Sequence, residues 1–301
     1  MPKAVVLTQY GAPDVLAWRD VTMPEPGPGQ VRIRVKAAGV GPTDLKIRRG
    51  EVRFARPPDA VLGFEAAGIV DALGPSVSGV ENGDEVASLL PTLGGYGEYA
   101  LASSWTAKPP KVSWADAAAL PASAEAAVGT LKQLGLAGGE TLLVLGAAGS
   151  VGMIATQLAV SRGATVVGVA APRDHNLVSE LGAVPVSYGP GLAARVRQLV
   201  PTVDAVLDAA GKGELPDAVD LAGGPKRVIT LADEHAADLG VAFSEPTPDR
   251  APEAVDQTMA LLASGALRLR RQRNLHMEHA AEAHRLLENG EVHEKLILNT
   301  S

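Results

Sequence analysis

The chain has 301 residues, 46% hydrophobic and 20% charged, with a net charge of −7. That acid surplus argues against nucleic acid or an anionic membrane as a main partner, since both recruit compensating cations. Cysteine is absent, which excludes disulfides, thiolate nucleophiles and cysteine-ligated zinc together.

Up to about residue 120, short apolar runs alternate with glycine and proline punctuation. Ala4–Leu7, Val31–Lys36 and Ala60–Leu62 read as strands, parted by Pro24–Gly29 and Pro57-Pro58. Strict alternation over Val31–Lys36 predicts one buried and one solvated face. This region is expected to be all-β and barrel-like, and Ala115 to Leu136 then becomes alanine-rich and helical. From Glu140 onward, strands expected at 141–145, 164–170, 184–187, 203–208, 226–231 and 240–243, with helices between them, predict a doubly wound parallel sheet. After Glu245-Pro-Thr-Pro248 come a helix over 251–264, a strand, a helix over 279–289 and a last strand over 295–299. That tail is too small to fold alone and is expected to return to the first domain and complete its sheet. The division is therefore 1–122 with 246–301 as one domain and 123–245 as the other, an α/β protein overall.

The stretch from Thr141 to Ala159 is the most informative. Leu142–Leu145 reads as a strand covered on both faces, and Gly146, Gly149 and Gly152 follow at intervals of three. Val151, Ile154, Ala155, Leu158 and Ala159 share a helical stripe, so a helix begins near Ser150. A strand, a glycine turn and a helix N-terminus are what a dinucleotide pyrophosphate requires: a tight bend, close backbone approach and free N–H groups. A tight turn with no ligand gives the same spacing. The strand Ala164–Ala170 close behind, as in a βαβ unit, favours the dinucleotide, with Gly146, Ala147, Ala148, Gly149, Ser150, Val151 and Gly152 as its cradle.

No metal site is expected. His276, His279 and His284 fall in or beside one helical segment, at spacings of three and five that share no tight face, and read as a solvated surface. The run Leu267–Arg273 reads as a solvated strand edge or a dimer rim. No apolar stretch spans a membrane and Met1–Val6 lacks a signal-peptide pattern, so a cytoplasmic protein is expected.

In order and spacing, a further set of segments resembles the medium-chain dehydrogenase/reductase superfamily, in its zinc-independent quinone oxidoreductase branch. They are Ala37–Asp44 with Ile47–Gly50, Gly63–Val70, Gly83–Val86, Gly94–Tyr99, Ala117–Pro121, the glycine turn, Val203–Asp208 and Ala283–Glu288. The resemblance implies a GroES-like β domain split in sequence around a Rossmann domain, an active site between the two, and a homodimer. Zinc-dependent members carry a cysteine and a histidine at the positions of Gly41 and Phe64, neither of which binds metal. Without a polarising metal, the acceptor must already be electron-poor, a quinone or an α,β-unsaturated carbonyl. The Thr43 hydroxyl and Lys46 ammonium are candidate donors to its developing oxygen, although Thr43 reads equally as a helix N-cap and Lys46 as a surface lysine. Quinone reductases usually have Asn at Gly41, many have an aromatic hydroxyl at Lys46 and many have Thr at Ala126, which widens the expected substrates toward enones or bulky aldehydes.

An NAD site usually ends its second strand with an acid; here Val169-Ala-Ala-Pro172 has none and Arg173 follows. A guanidinium binds the 2′-phosphate that a carboxylate would repel, so NADPH is expected, with Asp174 read as support for a helix N-terminus. Tyr188 matches a family tyrosine that contacts this phosphate, and Ala170, Ala210, Leu231 and Lys295 complete the implied cofactor contacts. Two other readings stay open. One is a non-catalytic, NADPH-binding sensor or crystallin-like member, and the other is an alcohol dehydrogenase, which would lack its metal.

Overall fold

The computed structural model describes residues 1–53, 55–244 and 250–300. Two compact units result: Met1–Ala122 with Val255–Ala266 and Arg271–Ser301, and Ser123–Ala254 with Leu267–Arg270. The boundary expected at 245/246 and the Glu245–Pro248 punctuation lie outside the described residues.

The first unit opens with β1 (Lys3–Leu7), β2 (Leu16–Asp20), β3 (Val31–Gly39), α1 (Pro42–Arg49) and β4 (Ala60–Val61). It continues with β5 (Glu65–Leu73), β6 (Glu85–Leu89), β7 (Tyr99–Ala102), β8 (Thr106–Ala107) and α2 (Trp114–Ala119). β2, β1 and β4 form a small antiparallel sheet. On β3 the alternation holds: Val31, Ile33 and Val35 are buried, Arg34 is exposed, and Arg32 and Lys36 are half-buried.

The second unit holds α3 (Pro121–Leu134), β9 (Thr141–Leu145), α4 (Ser150–Ser161), β10 (Thr165–Ala170), α5 (His175–Glu180) and β11 (Val184–Ser187). After them come α6 (Leu192–Leu199), β12 (Ala205–Asp208), α7 (Leu215–Leu221), β13 (Val228–Thr230) and β14 (Ala242–Phe243). Its six strands pair in parallel in the order β11-β10-β9-β12-β13-β14. This is the doubly wound sheet, with the strand order reversing at β9. Every residue of β9 is buried, as its unbroken apolar run requires. Leu143, Leu145, Val167, Val169 and Val206 belong to one buried cluster here, each side chain contributing about 1.5–3 kcal/mol.

Some strand ends fall short of expectation for local reasons. Residues 226 and 227 lie in a short 3-10 turn that begins at Pro225, and Gly240 is left-handed at φ 66°, so neither stretch can extend its strand.

The chain then returns through α8 (Ala254–Ser264), β15 (Gln272–His276), α9 (Ala280–Glu288) and β16 (Lys295–Asn299). β16 lies antiparallel to β3, and β15 is the outer strand of the seven-stranded sheet, so the tail completes the first unit's sheet. One expectation is overturned on α9. His276 and His279 are well exposed, but His284 is 0% exposed. It shares the inward stripe of Ala280 and Ala283, four and one residues before it, which is core spacing on a helix. Among the described residues, no helix is long and apolar enough to cross a membrane.

Candidate functional site

The glycine turn follows β9, where the strand order reverses. Its three glycines stand in three different local situations. Gly146 has φ +89°, a bend closed to most side chains, and the Gly146 and Ala147 N–H groups both donate to the Val169 carbonyl at 3.1 Å. A Cβ on Gly152 would lie 2.1 Å from the Gly146 carbonyl oxygen, so this glycine lets α4 pack on the turn. Gly149 is the N-cap of α4 at φ −76°, ψ 168°, ordinary extended backbone. Apart from its own chain neighbours, a Cβ there would meet, among the described residues, the Gly146 oxygen alone within 4 Å, at 3.2 Å. Its smallness is therefore not demanded by the fold. It leaves open the space before the first turn of α4, where N–H groups have no intrahelical partner and no side chain caps them. This cradle fits a pyrophosphate.

A buried carboxylate fastens the neighbouring loops to the sheet. Asp208, at the end of β12, accepts the N–H groups of Ala210 (2.9 Å) and Gly211 (3.0 Å) on Oδ1 and the Thr230 hydroxyl (2.8 Å) on Oδ2. Thr230 Oγ1 in turn accepts from Ala232 (3.0 Å) and Asp233 (2.9 Å). The loops carrying Ala210 and Leu231 are thereby fixed to two strand ends, and Ala210 packs against the Gly146 turn.

β10 ends at Ala170, and Arg173 stands on the short turn Pro172–Asp174 with its side chain 60% exposed and Nε 3.8 Å from Asp174. Asp174 occupies the N-cap position of α5 without a side-chain cap bond. Tyr188 follows β11. Burial first, then the Glu214 and Asp208 charges, push its phenol up to about 12, against a hydrogen bond with the Gly146 backbone. The Lys212 ammonium sits 4.5 Å above its ring. The second unit thus gathers Gly146–Gly152, Ala210 and Tyr188, with Ala170, Arg173 and Leu231 at strand ends of the same sheet.

Thr43, Lys46 and Lys295 belong to the first unit. Thr43 is exposed on the first turn of α1, but it is not the N-cap: Gly41 is, and Asp44 accepts its N–H at 2.9 Å. Lys46 is half-buried one turn further on. Lys295 is 9% exposed and pairs with Glu65 at 2.6 Å, while the other Glu65 oxygen accepts the Ala122 N–H. Its ammonium lies 3.8 Å from where a Gly41 Cβ would be. Asp44 is pushed up to about 6 by burial, against its backbone hydrogen bonds and Lys295. Burial, then the Asp44 and Glu65 charges, raise the Tyr96 phenol, and its hydroxyl lies 3.1 Å from His284 Nε2. Burial, then Arg48, lowers His284 to about 3. Among the described residues, no group of three or more His, Cys, Asp or Glu side chains could hold a metal ion.

Comparison with known proteins agrees with this architecture. A family described as alcohol dehydrogenase GroES-like domain matches residues 27–111, and one described as zinc-binding dehydrogenase matches residues 181–298. The 2-methylene-furan-3-one reductase of Solanum lycopersicum is 34% identical over 245 residues, 76% of this chain but only 62% of that protein. Quinone oxidoreductase of Pseudomonas aeruginosa is 29% identical over 310 residues, covering 94% of this chain and 95% of the relative. Among solved structures, the quinone oxidoreductase from Coxiella burnetii superposes with a TM-score of 0.88 at 28% identity, covering 100% of this chain and 99% of that one.

Proposed function

This chain belongs to the medium-chain dehydrogenase/reductase superfamily, and we propose that it is a zinc-independent, NADPH-dependent reductase of quinones or α,β-unsaturated carbonyls. The observation that carries this reading is the open glycine cradle at the strand reversal, with Arg173 rather than a carboxylate following β10. The names of two relatives point the same way. A quinone and a methylene-furanone are both electron-poor acceptors.

When bound, the nicotinamide supplies the hydride. The chain's own residues supply position and charge. The N–H groups at the start of α4 would hold the pyrophosphate, Ala210 and Leu231 would contact the cofactor, and Arg173 and Tyr188 would take the 2′-phosphate. Thr43 and Lys46 are the donors we assign to the oxygen that becomes negative as hydride arrives. Oxidation of NADPH with 1,4-benzoquinone, 9,10-phenanthrenequinone or an enone tests the activity directly. Binding without turnover on any of them would favour the sensor reading.

A zinc centre does not fit the donor set. Gly41 and Phe64 offer no ligand, and the Lys295 ammonium already lies beside the Gly41 position. Metal analysis of the purified protein is expected to find no stoichiometric zinc, and EDTA is expected to leave NADPH oxidation unchanged. One tightly held zinc per chain would overturn this part of the reading.

Cofactor choice has its own test. Arg173→Ala is expected to weaken NADPH binding by about 1–2 kcal/mol, a charge-assisted contact discounted for its exposure, and to spare NADH. The two dinucleotides differ only at the 2′ position. Equal losses in a fluorescence titration would make Arg173 a support of the fold, and a wild-type preference for NADH would reverse the assignment.

A further inference from the structure

We infer that Arg195, which reaches no part of the glycine cradle itself, is the positioning residue for Tyr188 and through it sets the preference for a 2′-phosphorylated dinucleotide. The inference rests on the reading of Tyr188 given above.

The loop from β11 to α6 is Ser187-Tyr188-Gly189-Pro190-Gly191, with Gly189 at φ +93° and Gly191 at φ +78°. Two left-handed glycines around a proline curl the backbone until successive carbonyls face one point. Arg195, on the first turn of α6, fills it. Its Nη2 donates to the carbonyls of Ser187 (2.8 Å), Tyr188 (3.1 Å) and Gly189 (3.0 Å), and its Nη1 to that of Pro190 (2.7 Å). Four converging carbonyl dipoles repel one another, and a planar guanidinium with five donors is the side chain best shaped to hold them. Glu214 also lies beside the loop at Gly189.

Tyr188 sits inside this clamp. Its ring carries Lys212, its hydroxyl reaches the Gly146 backbone, and Glu214, Asp208 and Asp174 are the acids facing it. Losing the clamp would let the loop uncurl and Tyr188 leave the glycine turn, with no contact to the bound ligand deleted directly. That separates Arg195 from an ordinary salt-bridging arginine on a helix, because the bonds of its two Nη groups all go to main-chain oxygens, while its Nε is buried without a partner among the described residues.

The test compares wild type with Arg195→Met, Arg195→Lys, Tyr188→Phe and the doubles, titrating NADPH and NADH by fluorescence on the full chain. Arg195→Met is expected to weaken NADPH about tenfold, the equivalent of one hydrogen bond, and NADH less than about twofold. Arg195→Lys, which keeps a cation and three donors, should recover most of the NADPH affinity. In the Tyr188→Phe background, Arg195→Met should cost little more, since coupled residues are not additive. A second readout needs no ligand: the Tyr188 phenol, isolated as the difference spectrum against the Tyr188→Phe counterpart, should titrate nearer the ordinary value of about 10 once the clamp is gone. If Arg195→Met proves too unstable to titrate, Arg195→Lys and its double with Tyr188→Phe make the same comparison.

Equal losses for the two dinucleotides, full additivity with Tyr188→Phe, or an unmoved phenol titration would each overturn the inference. Tyr188→Phe without any selective effect on NADPH would overturn the reading of Tyr188 and this inference with it. A selective Tyr188→Phe beside an even-handed Arg195→Met would overturn the inference alone.

Discussion

Gly149→Val is expected to abolish binding of both dinucleotides while the protein stays folded. A loss of more than about 100-fold, roughly 3 kcal/mol, should appear for NADPH and NADH alike, because the pyrophosphate is common to both. The backbone at Gly149 is extended, so valine is conformationally allowed, and only the Gly146 carbonyl at 3.2 Å has to give. The penalty on the fold is that of a poor N-cap, about 1 kcal/mol, a shift of a few degrees in melting temperature. Gly152→Ala is the contrasting variant. Its Cβ would lie 2.1 Å from the Gly146 oxygen and 2.9 Å from Ala147 Cα, so fold and binding should fail together. Undiminished affinity in Gly149→Val would show the turn to be structural only, and the functional reading would fall with it.

His284 should make the protein acid-sensitive in a definable window. Burial lowers it to about 3 in the folded chain, against an ordinary value near 6.5 when unfolded. Between these limits the unfolded chain binds the extra proton, so stability present above pH 6.5 is lost as pH falls toward 3, at up to about 1.4 kcal/mol per pH unit. Asp44 works in the opposite sense. Raised to about 6 from 3.8, it contributes stability that is complete below pH 3.8 and is lost as pH rises through 6. Glu288 and Glu140, lowered by their arginines, hold their contribution above pH 4.5 and lose it only below that, Glu140 as pH falls toward 2. Unfolding by urea at pH 7 and pH 4.5 therefore isolates the histidine if His284→Gln is measured beside wild type. Over that interval wild type should lose up to about 2.5–3 kcal/mol relative to the variant. Parallel profiles would mean that His284 titrates as a solvated group.

What could be read beforehand divides on physical grounds. β9, β11 and β16 were legible to the residue, because β9 and β16 are short apolar runs with glycine or polar residues at their ends and β11 lies between Gly182 and Gly189. β5 was visible only as a matching motif. Its Glu-Ala-Ala-Gly-Ile-Val run has weak strand propensity, and it is small because the chain passes so near that a Cβ on Gly68 would meet the Arg34 carbonyl at 2.3 Å. The glycine cradle could be recognised because phosphate approach constrains a few consecutive backbone positions. Asp208 with Thr230, and Glu65 with Lys295, join residues 22 and 230 apart, and no local pattern announces such pairs. Nor does one announce Arg195, whose partners precede it and are main-chain atoms. His284 was within reach: its spacing from Ala280 is that of an inward stripe, a signal outweighed by the polarity of the residue.

Gly41 at the head of α1 bears on chemical durability. Quinones and enones alkylate thiolates, and a thiol at a helix N-terminus beside an ammonium is shifted toward its reactive form. A cysteine kept at this position without zinc to mask it would sit 3.8 Å from Lys295, measured at its Cβ, and would be arylated by the acceptors we assign to the protein. Glycine there, in a chain with no other thiol, leaves those electrophiles no sulfur to attack, so successive turnovers should not inactivate the protein by that route.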